Sequence, residues 1–227
     1  MTIKLYTISG APRGWRVLIG LTLKGLEYKV QYLQASTKEH KQPEFLKINP
    51  RGTVPVIECD GVIMNDSIAI LAWLDREYPD KPLFGQTNDE AGEIWQLTME
   101  CSDYLRDAID TLFRPILVEN ITLPKADSED MKSLLAASKK VQVECTYLES
   151  LLGATPFFVG HAPSAAEAVI FPEIRLIKRA IDRKPEIMQE LGFGNFNKSY
   201  PKLSAWRDRI EALPNMEKAM PHHWNEK

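Results

Sequence analysis

The chain has 227 residues, of which 44% are hydrophobic and 26% charged, which predicts a globular protein of two modest domains or one large one. Its formal net charge of -3 gives no broad attraction to phosphate backbones or anionic lipid, so nucleic acid and membranes are not expected partners. No apolar run reaches the roughly 18 residues that cross a bilayer, and the chain opens on a strand pattern rather than a signal peptide. These features predict a cytoplasmic protein.

The first 80 residues alternate between short β-rich runs and helical patterns. An Asp60-Gly61 pair separates two of the runs, which is typical of the turn in a β-hairpin. The predicted elements are strands at 3–7 and 27–33, a helix at 14–24, hairpin strands at 54–59 and 61–64, and a helix at 67–77. With a polar helix-like segment before the hairpin, the order is strand, helix, strand, helix, two strands, helix.

Periodicity is lost over residues 80–88, which are rich in proline, glycine, aspartate and asparagine. We therefore place a linker at 81–88, between a first domain at 1–80 and a second at 89–227. The second domain reads as helix, with the Arg114-Pro115 step kinking or ending its first helix. The predicted helices are at 90–117, 128–152, 165–181 and 202–213, and the glycine-rich run at 192–199 is predicted to be a surface loop or lid edge.

Three cysteines, Cys59, Cys101 and Cys145, are odd in number and widely spaced. None has a second cysteine or a histidine at the spacing of metal ligands, so we expect reduced structural thiols and no metal site. Ser164 and Glu167 fit a capping box at a helix start, in which the serine oxygen and the glutamate carboxylate each accept from a backbone N–H. These residues are expected to serve folding.

Val54-Pro55, at the start of the predicted hairpin, is the most informative step in the chain. Proline cannot donate to a ladder, so Pro55 belongs at the first position or an edge of its strand. If the peptide bond is cis, the Val54 backbone groups point outward and can pair with a peptide-like ligand as an added strand would. The alternative is an ordinary turn proline.

Asp66-Ser67 follows the hairpin directly and opens the next predicted helix. Ser67 and the first free N–H groups of a helix form an anion site where a carboxylate can dock. The Asp66 carboxylate can meet an ammonium group, so the pair suits the zwitterionic end of an amino-acid-like ligand. The alternative is a plain N-cap.

Together these motifs resemble the glutathione transferase superfamily, with features of its zeta and tau classes. The resemblance rests on Asn-Pro-Arg-Gly-Thr-Val-Pro at 49–55, Asp-Ser-Ile-Ala-Ile at 66–70, Phe-Phe-Val-Gly at 157–160, Ser-Ala-Ala-Glu at 164–167 and Tyr-Pro-Lys-Leu-Ser-Ala-Trp at 200–206. It covers essentially the whole chain. It implies an α/β thioredoxin-like amino-terminal domain that binds glutathione, followed by an all-α domain that shapes the acceptor-substrate site.

In the family a hydroxyl or thiol near the first helix stabilises the glutathione thiolate, and the matching position here is Ala11. A methyl group cannot donate a hydrogen bond, so another group is expected to act. The candidates are the Ser9 hydroxyl, the Arg13 guanidinium, which can stabilise a thiolate by its charge, and Tyr6, for which a packing role in the first strand is favoured.

The resemblance also implies further contacts with the ligands. His40 or Lys41 meets the glycine carboxylate of glutathione and Thr53 makes a polar contact, unless 38–41 is simply a solvated helix face. Acceptor-site candidates lie on the long helix of the second domain, where Arg106 points to an acidic or polar acceptor unless it is solvated. In full, the glutathione-binding candidates are His40, Lys41, Thr53, Val54, Pro55, Asp66 and Ser67, and the acceptor-site candidates are Tyr104, Arg106 and Phe113.

The resulting hypothesis is a cytoplasmic, homodimeric detoxification enzyme that adds the glutathione thiolate to a small electrophile, with glutathione as cosubstrate and no metal. Two alternatives stay open. One is a glutathione-dependent isomerase, lyase or ether-cleaving enzyme, because Trp15-Arg16-Val17 also matches the zeta class. The other is a non-catalytic protein of the same fold that binds glutathione, a hydrophobic ligand or a partner, which Ala11 favours.

Overall fold

The computed structural model describes residues 2–153 and 155–224, which form two compact units. Of these residues, the first unit contains 2–94, 163–168 and 213–224, and the second contains the rest. Residues 213–224 therefore belong to the same unit as residues 2–94. The linker that the sequence places at 81–88 stays a prediction.

A four-stranded mixed sheet organises the first unit. Across the sheet the strand order is β2-β1-β3-β4, with β1 and β2 parallel and the other two pairs antiparallel. The parallel strands β1 and β2 need a crossover connection, which helix α1 provides. Strands β3 and β4 are joined by a tight hairpin turn, in which Asp60 and Gly61 both have positive φ. The predicted element order is confirmed: β1 (Ile3–Thr7), α1 (Pro12–Lys24), β2 (Tyr28–Tyr32), α2 (Pro43–Leu46), β3 (Val56–Cys59), β4 (Val62–Asn65) and α3 (Ser67–Glu77).

The core of the first unit contains side chains from the strands and from α1 and α3, which pack against each other. A Cβ at Gly20 would lie 2.2 Å from Cδ2 of the buried Leu71, so a larger residue there would have to displace that side chain. Successive strand residues point to opposite faces of a sheet. Tyr6 accordingly belongs to a separate buried cluster with Leu33, Phe45 and Val56.

Strand β3 begins two residues later than the sequence predicts, at Val56 rather than Val54. Pro55 has no N–H to give to the ladder, so ladder pairing starts beyond it. The Val54-Pro55 bond is cis. Among the described residues, neither backbone polar group of Val54 has a hydrogen-bond partner.

The second unit is built from helices. Ser128 caps the longest of them by accepting from the Met131 N–H at 3.2 Å, and Glu129 and Asp130 in its first turn complement the positive end of the helix dipole. The predicted interruption at Arg114-Pro115 is confirmed, since the preceding helix ends at Phe113 and a wider π turn follows. The other α-helices of the described residues are α4 (Asn88–Glu100), α5 (Arg106–Phe113), α6 (Glu129–Leu151), α7 (Ala165–Arg183), α8 (Pro185–Glu190), α9 (Phe196–Ser199), α10 (Pro201–Glu211) and α11 (Met216–Ala219).

The prediction of a surface loop at 192–199 holds for residues 192–195, which form turns, and is wrong for the residues that follow. Phe193 and Phe196 are buried, and residues Phe196–Ser199 form a short helix. The Phe196 ring packs 5.0 Å from the ring of Tyr200, so aromatic burial outweighs the glycine and asparagine content that suggested a loop.

Two further expectations concern the whole chain. The three cysteines are buried and form no disulfide, as the sequence predicts. Among the described residues, no helix is both long and apolar enough to span a bilayer.

Candidate functional site

Strand register brings the predicted site segments of the first unit to one end of the sheet. Tyr6 pairs with Val56, and Val56 pairs with Asn65. Because both strand pairs are antiparallel, the residues that follow β1, precede β3 and follow β4 lie at the same end of the sheet. Ile8 and Val54, two residues beyond the ladder, both pack on the same buried cluster. The loop with Ser9, the Val54 backbone and the start of α3 therefore lie at the same end.

Ser9 lies at a corner of the turn between β1 and α1. The Ala11 N–H donates to the Ile8 carbonyl at 3.0 Å, and Gly10 has a φ of +78°, which is the backbone pattern of a type II turn. Only glycine adopts this φ without strain. Ser9 Oγ is 2.8 Å from Nδ1 of His223, near the end of the chain.

The other candidate groups for thiolate stabilisation differ in their availability. Arg13 is exposed in the first turn of α1, and its side chain makes no hydrogen bond or ion pair with another described residue. Ala11 occupies the N-cap position of α1 and has no side chain to cap it. Tyr6 is buried, and its hydroxyl donates to Glu58 Oε2 at 2.8 Å, which supports the packing role expected for it.

Asn49 holds the loop that leads to Val54. Its Nδ2 donates to the Thr53 carbonyl at 2.8 Å and to Thr53 Oγ1 at 3.1 Å, and its Oδ1 accepts from the Arg51 N–H at 3.2 Å. The side chain is buried, so these bonds form away from solvent. Asn49 begins the motif at 49–55, but the motif alone did not indicate this positioning role.

His40 and Lys41 lie against the same loop. A Cβ at Gly52, which has a φ of +55°, would lie 2.8 Å from the His40 carbonyl, so residue 52 has to be glycine for this approach. Lys41 Nζ donates to the Arg51 carbonyl at 3.2 Å. His40 Nδ1 is buried and has no hydrogen-bond partner among the described residues. An unpaired buried nitrogen is costly and is often explained by a ligand or water.

Asp66 is the N-cap of α3. Its Oδ1 accepts from the N–H groups of Ile68 at 3.0 Å and Ala69 at 3.1 Å. Part of the helix-terminal anion site is therefore occupied by the chain's own carboxylate, in agreement with the alternative interpretation of Asp66 as an N-cap. Ser67, the first helical residue, is buried, and its hydroxyl has no hydrogen-bond partner among the described residues.

The three acceptor-site candidates of the second unit have different environments. Tyr104 is 65% exposed, whereas Phe113 is buried at 3%. Arg106 donates to Glu173 Oε2 at 2.9 Å and to Asp110 Oδ1 at 2.7 Å. The structure therefore does not bring these side chains together on one surface.

Residues 222–224, called the chain end below, also lie at this end of the sheet, which the sequence did not predict. The His222 ring packs 5.0 Å from the ring of Tyr32, the last residue of β2, and the Trp224 ring packs 5.0 Å from that of Trp15. The only sequence signal was a cluster of aromatic residues after Pro221. Nothing in the spacing connects position 223 with position 9.

Comparison with known proteins shows what class this fold and site represent. The family description "Glutathione S-transferase, N-terminal domain" matches residues 11–77, and "Glutathione S-transferase, C-terminal domain" matches residues 114–220. A solved glutathione S-transferase from the Antarctic clam Laternula elliptica covers 100% of this chain and 95% of its own, with a TM-score of 0.82 and 29% identity. The architecture is thus a thioredoxin-like domain with a helical carboxy-terminal region, and the predicted fold class is confirmed.

Relatives by sequence agree with this class. "Glutathione S-transferase 1" of Dianthus caryophyllus is 28% identical over 208 residues, which is 91% of this chain and 86% of the relative. "Maleylacetoacetate isomerase" of Pseudomonas aeruginosa is 39% identical over 84 residues, which is 36% of this chain and 40% of the relative. The chain belongs to the glutathione S-transferase superfamily.

Proposed function

We propose that the protein is a glutathione transferase that activates the glutathione thiol for attack on a small electrophilic substrate. The observation that carries the proposal is the strand register, which gathers an unpaired peptide backbone at Val54, a helix start at Asp66-Ser67 and a hydroxyl at Ser9 at one end of the sheet. A peptide backbone, an amino-acid head group and a thiol are the three parts of glutathione that need recognition.

Each part of glutathione has a counterpart in the first unit. The free N–H and C=O of Val54 pair with the peptide backbone, in the manner of an added strand. Asp66 meets the ammonium group, and Ser67 with its N–H meets the α-carboxylate. His40 and Lys41 are the partners proposed for the glycine carboxylate, with Thr53 held nearby by Asn49.

Thiol activation requires a defined free energy. A thiol with a pKa near 8.5 is only a few per cent ionised at neutral pH, and lowering that pKa by about two units needs roughly 2.7 kcal/mol of preference for the thiolate. Since Ala11 cannot donate, we assign this stabilisation to the Ser9 hydroxyl and the exposed Arg13 guanidinium. The thiol proton leaves to solvent.

The test is the ultraviolet absorbance of the bound thiolate as a function of pH in the wild type, in Ser9→Ala and in Arg13→Ala. We expect the pKa of the bound glutathione thiol to lie well below its free value, and at least one of the two substitutions to return that pKa toward the free value. Turnover of a chlorinated aromatic acceptor should fall in parallel. A bound thiol that titrates as in free solution, or no binding at all, would contradict the transferase assignment.

A second candidate is a glutathione-dependent isomerase, favoured by the 39% identity to a maleylacetoacetate isomerase over 84 residues. An isomerase uses the same thiolate but releases glutathione unchanged. Mass spectrometry of the product separates the two reactions, since a transferase product retains glutathione. Retention on immobilised glutathione with neither activity would instead indicate the binding protein that Ala11 suggests.

A homodimer in the cytoplasm remains part of the proposal, on the basis of family membership. Sedimentation of the purified protein tests the oligomeric state. A particle of one chain mass would contradict the homodimer without affecting the assignment of the glutathione site.

A further inference from the structure

The chain end, residues 222–224, lies at the same end of the sheet as the proposed thiol site. Thr7 pairs with Tyr32 in the parallel strands, so the ends of β1 and β2 are neighbours. His222 packs on Tyr32, and the next residue, His223, is 2.8 Å through Nδ1 from Ser9 Oγ. A histidine from one end of the chain therefore contacts the hydroxyl proposed to act on the thiol.

Packing on two sides places the His223 ring. A Cβ at Gly10 would lie 2.9 Å from His223 Cε1 and 3.2 Å from Trp224 Nε1, so the ring approaches this closely because residue 10 is glycine. Trp224 stands edge-on to the buried Trp15 ring. The backbone N–H of Trp224 donates to the Pro221 carbonyl at 3.0 Å, which closes a turn around the two histidines.

Helix α11 (Met216–Ala219), just before this turn, is also anchored. It packs against α1, and Met216 and Ala219 are fully buried. The position of His223 is thus determined by buried contacts before and after it, which distinguishes the contact with Ser9 from a chance surface hydrogen bond.

The direction of the Ser9 hydrogen bond decides what the hydroxyl can do. If Ser9 donates to His223, its single proton is used and it cannot donate to a thiolate. If His223 donates through Nδ1–H, the Ser9 oxygen accepts that bond and its own proton is free for the sulfur. A hydroxyl that accepts one hydrogen bond is also a stronger donor in the next.

We propose that His223 is a positioning residue that donates to Ser9 Oγ and directs the Ser9 hydroxyl proton toward the sulfur of bound glutathione. This inference rests on the proposed function. No covalent bond forms or breaks in His223 or Ser9, and both keep their protons while the thiol proton passes to solvent. Ser9, oriented by His223, thus supplies the hydrogen-bond donor that the Ala11 side chain lacks.

The experiment compares His223→Leu with His223→Asn, using the thiolate absorbance of bound glutathione against pH. An asparagine amide places an N–H donor close to the position of Nδ1, whereas leucine offers none. We expect the thiolate fraction below the thiol pKa to fall about tenfold in His223→Leu and to recover in His223→Asn, with glutathione affinity within about twofold of wild type in both. His161→Ala, at an exposed histidine of the second unit, is the matched control and should leave the titration unchanged.

A double substitution tests whether His223 acts through Ser9. In a Ser9→Ala background the further change His223→Leu should have no added effect on the thiolate fraction. An undiminished effect in that background, no effect in the wild-type background, or equal loss in the Asn and Leu variants would each overturn the proposal.

The outcomes also separate this proposal from the one on which it rests. If wild-type protein binds no glutathione, or binds it with an unshifted thiol, both the transferase assignment and the role of His223 fail. If the wild-type thiol is shifted and His223→Leu leaves it so, only the role of His223 fails. Tryptophan fluorescence, sensitive to the Trp15–Trp224 contact, reports whether the chain end stays docked in each variant.

Discussion

The candidate glutathione site and the candidate acceptor site differ in how the fold holds their residues. In the first unit, strand register and short-range hydrogen bonds bring the candidates together, as when Asn49 holds Thr53 and Asp66 caps α3. In the second unit, Tyr104 and Phe113 are nine positions apart along helical turns. At about 100° per residue, this spacing puts them on opposite sides of a helix. One is exposed and the other buried.

The difference shows which kind of site a sequence motif specifies. Antiparallel register converts spacing along the chain into contact at one sheet edge, so a motif there also predicts neighbours. A helix spreads the same number of residues around its axis, and only those with matching periodicity share a surface. The acceptor site therefore remains a prediction with weaker support than the glutathione site.

The largest expected effect is on the free energy of unfolding when Arg106 is replaced. It tests whether Arg106 has a structural role or a role in binding the acceptor substrate. The Glu173 side chain is fully buried, and in Arg106→Met it loses the guanidinium 2.9 Å away. Loss of one partner from such a pair costs about 3 kcal/mol of unfolding free energy, which urea denaturation measures. Asp110→Ala is the control, since it removes only the exposed arm of the network and should cost under about 1 kcal/mol. Equal losses in the two variants would contradict the structural role.

Asp66 tests whether a cap in the first unit also binds ligand. Asp66→Ala removes the acceptor for two N–H groups at a residue whose φ is +74°, so we expect about 1 to 2 kcal/mol of destabilisation in thermal unfolding. Asp66→Asn keeps an accepting oxygen and should cost only a few tenths of that. Calorimetry should nevertheless show weaker glutathione binding in both variants, because both lack the charge. Unchanged affinity in Asp66→Asn would leave Asp66 with a capping role alone.

The sequence predicted the fold well because local signals and strand order agree. The hairpin turn at Asp60-Gly61 and the start of α3 both follow from nearby residues. It did not predict the contact of Ser9 with His223, which joins positions 214 residues apart, since periodicity carries no information on such pairs. It also missed the short helix Phe196–Ser199, because the glycine and asparagine residues of 192–199 suggested a loop although Phe193 and Phe196 are buried.

Substitution of Gly10 tests whether the chain end needs a glycine at position 10 in order to dock. A glycine in another turn, Gly61, shows how much of the effect is backbone strain alone. Gly10→Ala introduces a Cβ at a φ of +78° and 2.9 Å from the His223 ring, whereas Gly61→Ala has a φ of +86° and nothing within 4 Å. Both should lose about 1 kcal/mol from backbone strain. Only Gly10→Ala should also displace His223 and change tryptophan emission through Trp224. Identical emission in the two variants would show that the chain end tolerates a methyl group at position 10.

The smallest expected effect compares one tyrosine from each unit at alkaline pH. A hydrogen bond to Glu100 raises the pKa of Tyr147 from 10.0 to about 12, and one to Cys59 raises the pKa of Tyr78 to about 12. Each raised pKa means that the folded state favours the protonated phenol. The stability it contributes is therefore complete below pH 10 and is lost as the pH rises toward 12. Tyr147→Phe should remove one of the tyrosinate absorbance steps that occur above pH 10. It should also make the unfolding free energy fall less steeply between pH 10 and 12. Tyr78→Phe should have the same two effects, independently of Tyr147. Because Tyr147 is 38% exposed, solvent screening keeps its effect small. A titration complete near pH 10 in the folded wild type would contradict both assignments.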